Sequence, residues 1–338
     1  MIKANPINPK TPAYVVSPPI KTGLVVGFGD VGERVTRLLT PEYSVTALIR
    51  NPQRAKTAGL CGANHLAGDL SKLETLTALG EQSNQFDAIF HFAPPPGSGL
   101  EDTHTRNLLV TLTKGLTATP TVHLKQFIYI STTGVYGDCG GDIINENRPL
   151  NPQTDRARRR VDAEQCLQAW AALHQVRLII LRAPGIYAIE RLPLERIRSG
   201  TPAMIANEDS HTNHIHADDL AAACLAACTK AATLNSNQIL NVVDDSDLKV
   251  GDFLDLLADH FQLTRPPRVS RAELQTRVNP PIASFLNESR RIQNTRMKAV
   301  LNLKLRYPTV QDFLTKTPRW SAETAAAAKF VTPGQPTG

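Results

Sequence analysis

The sequence has no long apolar run. Nothing in it approaches the roughly 18 consecutive apolar residues that a membrane helix needs, so no membrane-spanning segment is expected. Its start, Met1-Ile2-Lys3-Ala4-Asn5-Pro6, lacks the apolar core of a signal peptide, and a cytoplasmic protein is expected. Aromatic residues make up only 5% of the 338 residues, and the net charge is only +6. A nucleic-acid binder concentrates positive charge on one element beside stacking aromatics. Here the basic residues are scattered apart from Arg156, Arg158, Arg159 and Arg160, and attraction for phosphate-bearing small molecules accounts for the same balance. No nucleic-acid partner is expected. The five cysteines (Cys61, Cys139, Cys166, Cys224, Cys228) are odd in number and irregularly spaced, which reads as reduced thiols in a cytosolic protein. Cys224 and Cys228 share one face of an Ala-rich helical run, as core filling. There is no internal repeat.

What is present is a core. The chain is 41% hydrophobic and 20% charged, which excludes wholesale disorder. Residues 1–20, with Pro6, Pro9, Pro12, Pro18 and Pro19, read as an irregular arm. The tail over 318–338 turns Ala-rich and then Pro/Gly-rich and reads as disordered. Between them lie apolar runs at Leu24–Phe28, Val45–Ile49, Ala88–Phe92, Phe127–Ile130 and Leu178–Leu181. Each is short, nearly continuous in apolar residues and separated from the next by a helix-length stretch. This predicts an α/β fold, a Rossmann-type doubly wound parallel sheet covered on both faces. After about residue 183 the rhythm breaks. Gln238–Val243 reads as a late strand, and Val250–His260 and Asn294–Leu301 as helices. The expected organisation is a dinucleotide-binding domain over 21–185 and a smaller mixed C-terminal lobe over 186–317, interleaved with the Rossmann core.

Gly27-Phe28-Gly29-Asp30-Val31-Gly32 follows the first strand and opens an amphipathic helix whose apolar face is Val31, Val35 and Leu38/Leu39. In that context Gly27 allows the tight turn, Gly29 lets a diphosphate approach the backbone, and Gly32 lets the helix pack on the sheet. The exposed amides and the positive helix end hold the phosphates. An NAD site places Asp or Glu about 20 residues on, where it holds the ribose 2′-hydroxyl. Here that place is taken by Arg50-Asn51, with Arg54 and Lys56 close behind. A guanidinium binds a 2′-phosphate that a carboxylate would repel, so NADP(H) is favoured over NAD(H).

Further motifs follow the later strands: Gly68-Asp69-Leu70, His91-Phe92-Ala93-Pro94, Ser131-Thr132-Thr133-Gly134-Val135-Tyr136-Gly137, Leu181-Arg182-Ala183-Pro184-Gly185-Ile186-Tyr187 and His214-Ile215-His216-Ala217-Asp218-Asp219. Asn294-Thr295-Arg296 and Leu305-Arg306-Tyr307-Pro308 close the series. Together these resemble the extended and atypical short-chain dehydrogenase/reductases, in particular the NAD-dependent epimerase/dehydratase-like group, over roughly Lys21 to Thr317. The resemblance implies adenine contact at Asp69 and Leu70. It implies that the backbone of Phe92, Ala93 and Pro94 skirts the ribose and nicotinamide, and that Pro184, Gly185 and Ile186 stand beside the carboxamide. Thr132 falls where the family has a Ser that bonds the substrate oxygen. The family's Tyr-x-x-x-Lys is missing. Counting back from Glu164, Arg160 falls on the Lys position and Arg156 on the Tyr position. Arg160 keeps a charge for the ribose hydroxyls, but Arg156 cannot shuttle a proton because guanidinium stays charged.

Four residues are therefore candidates for the chemistry. Thr132 polarises a carbonyl, having no evident base to make it a nucleophile. Arg160 holds the ribose, and Arg156 binds an anionic substrate group or stabilises developing negative charge. Tyr136 is weighed as a packing residue and as an acid, and Tyr187 is a further candidate near the nicotinamide end. His211, His214 and His216 match no zinc spacing, so no metal is expected. The reading is an NADP(H)-dependent oxidoreductase of a small carbonyl or alcohol substrate, compatible with a helix-paired homodimer. Its competitor is a non-catalytic NADP(H)-binding protein that senses redox state.

Overall fold

The computed structural model describes residues 21–117, 123–230, 237–278 and 286–318. The arm expected over residues 1–20 and, beyond Pro318, the expected tail lie outside them. Seven parallel strands form the central sheet: β1 (Lys21–Val26), β2 (Tyr43–Ile49), β3 (Asn64–Ala67), β4 (Ala88–His91), β5 (Gln126–Thr132), β6 (Arg177–Ala183) and β7 (Gln238–Asn241). Their order in space is β7-β6-β5-β4-β1-β2-β3. Val25 lies opposite Ala47 on one side and Phe90 on the other.

The apolar runs are continuous because both faces of the sheet are covered, and alternate residues feed two different cores. Val25, Ala47, Phe90, Ile128 and Ile179 join one cluster. Leu24, Val26, Ile89, Phe127, Tyr129 and Ile180 join the other. Among the described residues the first seven α-helices in chain order are α1 (Asp30–Leu39), α2 (Gln53–Leu60), α3 (Thr77–Gln82), α4 (Thr103–Thr117), α5 (Asp155–His174), α6 (Leu194–Arg198) and α7 (Ala217–Lys230). Helices α1 and α7 cover the first face, with Val35, Leu39, Cys224 and Cys228 buried in it. Leu38, expected on that stripe, is 41% exposed; the buried turn runs through Gly32, Val35, Thr36 and Leu39. Helices α4 and α5 cover the second face with Leu108, Leu112, Leu167 and Trp170. Truncating one such fully buried Leu to Ala costs about 2–5 kcal/mol. The Thr154 side chain caps α5 by accepting from the Ala157 amide at 3.1 Å, and Gln175 ends it in the left-handed region.

Past β6 the chain alternates between this core and a lobe. Helices α7 and Thr295–Leu301 and strand β7 belong to the nucleotide-domain core. The lobe has its own cluster, in which Tyr187, Leu194, Ile197, Phe253, Leu257 and Phe313 pack together. Short ladders join the two parts, among them Gly185–Tyr187 paired with His214–His216. Among the described residues no helix is long and apolar enough to cross a membrane.

Candidate functional site

The order of strands reverses between β1 and β4. In an open α/β sheet such a switch point leaves a crevice at the carboxyl ends of the strands, which is where ligands bind. Here that crevice is a cleft of about 460 Å³, within the range of small-molecule sites. Its floor is the glycine loop Gly27–Gly32, and its sides are Ile49–Asn51, Gly68–Leu70, Phe92–Pro94 and Ile186.

The three glycines differ in what they do. Gly27 has φ +93°, and a Cβ there would stand 2.3 Å from the Ala93 amide nitrogen. That crowding arises because the amides of Phe92 and Ala93 both donate to the Val26 carbonyl, at 2.7 and 3.1 Å. A Cβ on Gly32 would stand 2.5 Å from the Gly27 carbonyl oxygen. Gly29 is different: its backbone is extended at φ −94°, and a Cβ there would meet nothing within 4 Å. The fold does not need glycine at 29. A ligand laid against the first amides of α1 does, and this bare backbone at a helix N-terminus fits the diphosphate of a dinucleotide.

One side of the cleft is built by β2, β3 and the residues that follow them. Arg50 and Asn51 are exposed on the cleft wall. Arg54 is already engaged: it donates to the Phe28 carbonyl at 3.3 Å and to Glu33 at 3.2 Å, and its guanidinium lies 5.6 Å from the Phe28 ring centre. Lys56 is exposed and does not line the cleft. At Asp69 partial burial works to raise the carboxyl's proton affinity. The Ser71 amide and hydroxyl (2.9 and 2.8 Å) and the nearby Arg50 overcome it and hold the group below its ordinary range. Asn107 donates to the Leu70 carbonyl at 2.8 Å and fixes that turn.

Two cleft residues had no signal in the linear motifs. His104, from the start of α4, bonds the Pro94 carbonyl through Nδ1 at 2.9 Å and lines the wall. Arg191 reaches the same cleft from a helical turn, Ile189–Arg191, behind Gly185–Tyr187.

The residues singled out for chemistry lie outside this cleft. Thr132, half-buried at the end of β5, accepts from the Gly134 amide at 3.2 Å through Oγ1. Tyr136 is 1% exposed. Its hydroxyl donates to Asn241 at 2.7 Å and accepts from Arg182 at 2.9 Å, and burial raises its hold on the proton. The phenol is committed to the core and is not placed as an acid. Arg182 is held in turn by a bidentate pair to the buried Glu164, at 3.1 and 2.7 Å.

On α5, Arg160 turns toward the sheet, donating to the Tyr129 hydroxyl at 2.8 Å and the Ile130 carbonyl at 3.1 Å. Arg158 pairs with Asp155 at 2.8 Å and Arg159 donates to the Gly99 carbonyl at 2.5 Å. Arg156 makes no hydrogen bond or ion pair with the described residues. Desolvation, then Arg160, weaken its hold on the proton, with Arg159 and Arg290 adding to the effect against Glu288 alone. Glu288 is itself paired to Arg290 at 2.7 Å.

Pro184 and Gly185 line a separate cavity of about 20 Å³ with Thr133, Asn213, Glu288 and Arg290. That is room for about one water. The histidines are core residues. His214 stacks on Phe253 at 4.2 Å, and His216 lies 4.2 Å from Tyr307. Burial pushes both down to about 4, so they are neutral. Tyr187 is buried among His214, His216 and Phe313. Among the described residues no group of three or more His, Cys, Asp or Glu is arranged to hold a metal.

A doubly wound sheet with a glycine loop opening such a cleft at its switch point defines a dinucleotide-binding protein. The chain belongs to the NAD dependent epimerase/dehydratase family, whose model matches residues 24–242, and the family binds a nicotinamide dinucleotide. No curated protein matches the chain. Among solved structures it is similar to a functionally unknown conserved protein from Silicibacter pomeroyi, with 27% identity over 87% of this chain and 97% of that one, at a TM-score of 0.70. It also shares its fold with a UDP-glucose 4-epimerase from Thermotoga maritima (17% identity, 87% and 96% coverage, TM-score 0.67). MoeE5 in complex with UDP-glucose and NAD is similar too (18% identity, 87% and 96%, TM-score 0.65).

Proposed function

We propose that the chain is an NADP(H)-dependent oxidoreductase whose substrate is a small carbonyl or alcohol bearing an anionic group. The observation that carries the cofactor choice is Arg50. Strand β2 is followed directly by this exposed guanidinium, where an NAD site has a carboxylate. Arg50 lies on the cleft wall and makes no hydrogen bond or ion pair with the described residues. A 2′-phosphate meets there a cation with its donors free. When bound, the cofactor supplies hydride chemistry. The Thr132 hydroxyl accepts from Gly134 and keeps its own hydrogen to donate to a substrate oxygen. Arg156, surplus among its neighbours, provides an electrostatic site for a carboxylate or phosphate on the substrate.

A second reading, a non-catalytic NADP(H)-binding sensor, is favoured by one observation: Arg156 stands where a proton-shuttling Tyr is needed, and guanidinium does not release its proton near neutrality. The five free cysteines support a cytosolic, reducing compartment in either case, and a homodimer remains part of the proposal.

Consumption of NADPH with a panel of small carbonyls, acidic and neutral, separates the two. Oxidoreductase action predicts turnover that prefers acidic carbonyls, a KM raised about 10-fold or more by Arg156→Met and a lower kcat in Thr132→Val. Tight NADPH binding without turnover across the panel would decide for the sensor.

A further inference from the structure

Asp30 is out of place in a phosphate site. The N-terminus of α1 offers amides and partial positive charge to a diphosphate, yet the residue after Gly29 carries a carboxylate that opposes both phosphates. The fold supplies a counterweight. Asp30 accepts from Arg34 Nε at 2.8 Å through one oxygen and from Arg191 Nη1 at 3.0 Å through the other. Arg34 also pairs with Glu190, and with Asp218 at 2.5 Å. The turn Ile189–Arg191 is thus clamped onto α1 by two ion pairs that span 156 and 161 residues of sequence.

Arg191 is also on the cleft wall, in company with Gly27–Gly32 and Phe92–Pro94. Of its five guanidinium donors, only Nη1 is bonded among the described residues. A side chain serving Asp30 alone could do so from the surface. This one faces the cleft where the bare backbone at Gly29 leaves open space.

We infer that Arg191 is a diphosphate-binding residue, a cation brought to the glycine loop from the lobe side of the molecule and positioned by Asp30. The inference rests on the reading of the cleft as the dinucleotide site. It resolves the anomaly of Asp30: the carboxylate that would repel the ligand instead aims a guanidinium at it. It also links the two parts of the chain, since Ile189 and Leu192, on either side of Arg191 itself, pack on the lobe core.

Calorimetric titration of the full chain with ADP-ribose tests this, because that probe carries the diphosphate without the nicotinamide or a 2′-phosphate. Arg191→Ala should weaken ADP-ribose about 10- to 100-fold at low salt and flatten the salt dependence of its affinity. Arg191→Lys should recover part of the loss at low salt, and the melting temperature of the unliganded alanine variant should stay within a few degrees of the parent protein. Affinity within twofold of the parent overturns the inference. So does a loss that salt does not modulate and lysine does not rescue, because that is the mark of a structural anchor. If the parent protein binds no ADP-ribose, the reading of the cleft falls, and the inference with it.

Discussion

Adding a side chain at Gly29, and separately at Gly27, separates the needs of the fold from the needs of the ligand. Gly29 is extended at φ −94°, and a Cβ there meets nothing within 4 Å. Gly29→Val should therefore fold, with a stability change within about 1 kcal/mol. Its methyls would occupy the space in which a diphosphate reaches the first amides of α1. Losing two charge-assisted hydrogen bonds at about 1.5–3 kcal/mol each removes about 3–6 kcal/mol of binding, or roughly 10²- to 10⁴-fold in affinity. Gly27→Ala should do the opposite. Its φ of +93° is strained for any Cβ, and that Cβ would stand 2.3 Å from backbone at Ala93. We expect about 3 kcal/mol or more of lost stability there. Urea unfolding of both variants, paired with titration of Gly29→Val by NADPH, reads both quantities. Wild-type affinity in Gly29→Val, or unfolding as severe as that of Gly27→Ala, would refute the assignment of these roles.

Tyr136→Phe removes one bond to Asn241 and one to Arg182 inside the core, and should cost about 1–3 kcal/mol in denaturant unfolding while leaving turnover unchanged. A stable variant that has lost turnover would restore Tyr136 as the acid. The buried Asp244 carboxyl accepts from the Ser246 amide at 2.9 Å, and burial pushes it up to about 7. Because the folded value is raised, its stabilising contribution is complete below about pH 4 and is lost as pH rises through 7. Asp244→Asn keeps the acceptor and removes the charge. It should therefore be more stable than the parent by up to about 4 kcal/mol near pH 8, converging with it near pH 4. A variant less stable than the parent at pH 8 contradicts this.

Five of the seven strands (β1, β2, β4, β5 and β6) were readable because burial on both faces leaves each a nearly unbroken apolar run. Strand β3, Asn64-His65-Leu66-Ala67, is a largely exposed edge strand and carries no such run. β7 was found as a strand, but its place at the edge beside β6 comes only from the fold, which returns residues 238–241 to the nucleotide domain. The glycine loop was readable for a different reason: each glycine answers a local backbone demand or an approach by the ligand. Arg191 was not, since its role depends on an ion pair to Asp30 across 161 residues, and nothing near 191 announces it. His104 was hidden likewise, because only the packing of α4 sets it against Pro94. On α5, sequence spacing put Arg156 and Arg160 on one face but could not tell which was spent. Hydrogen bonds to Tyr129 and Ile130 take up Arg160, whereas Arg156 makes none with the described residues.

The central claim is that this cleft takes NADP(H) through Arg50. Calorimetric titration of the purified chain with NADPH and with NADH, repeated on Arg50→Asp, tests it most directly. The account predicts tighter binding of NADPH by the parent protein, and a loss in Arg50→Asp of about 10-fold or more for NADPH that is far smaller for NADH. Equal losses for the two cofactors, or a parent protein that prefers NADH, would contradict it.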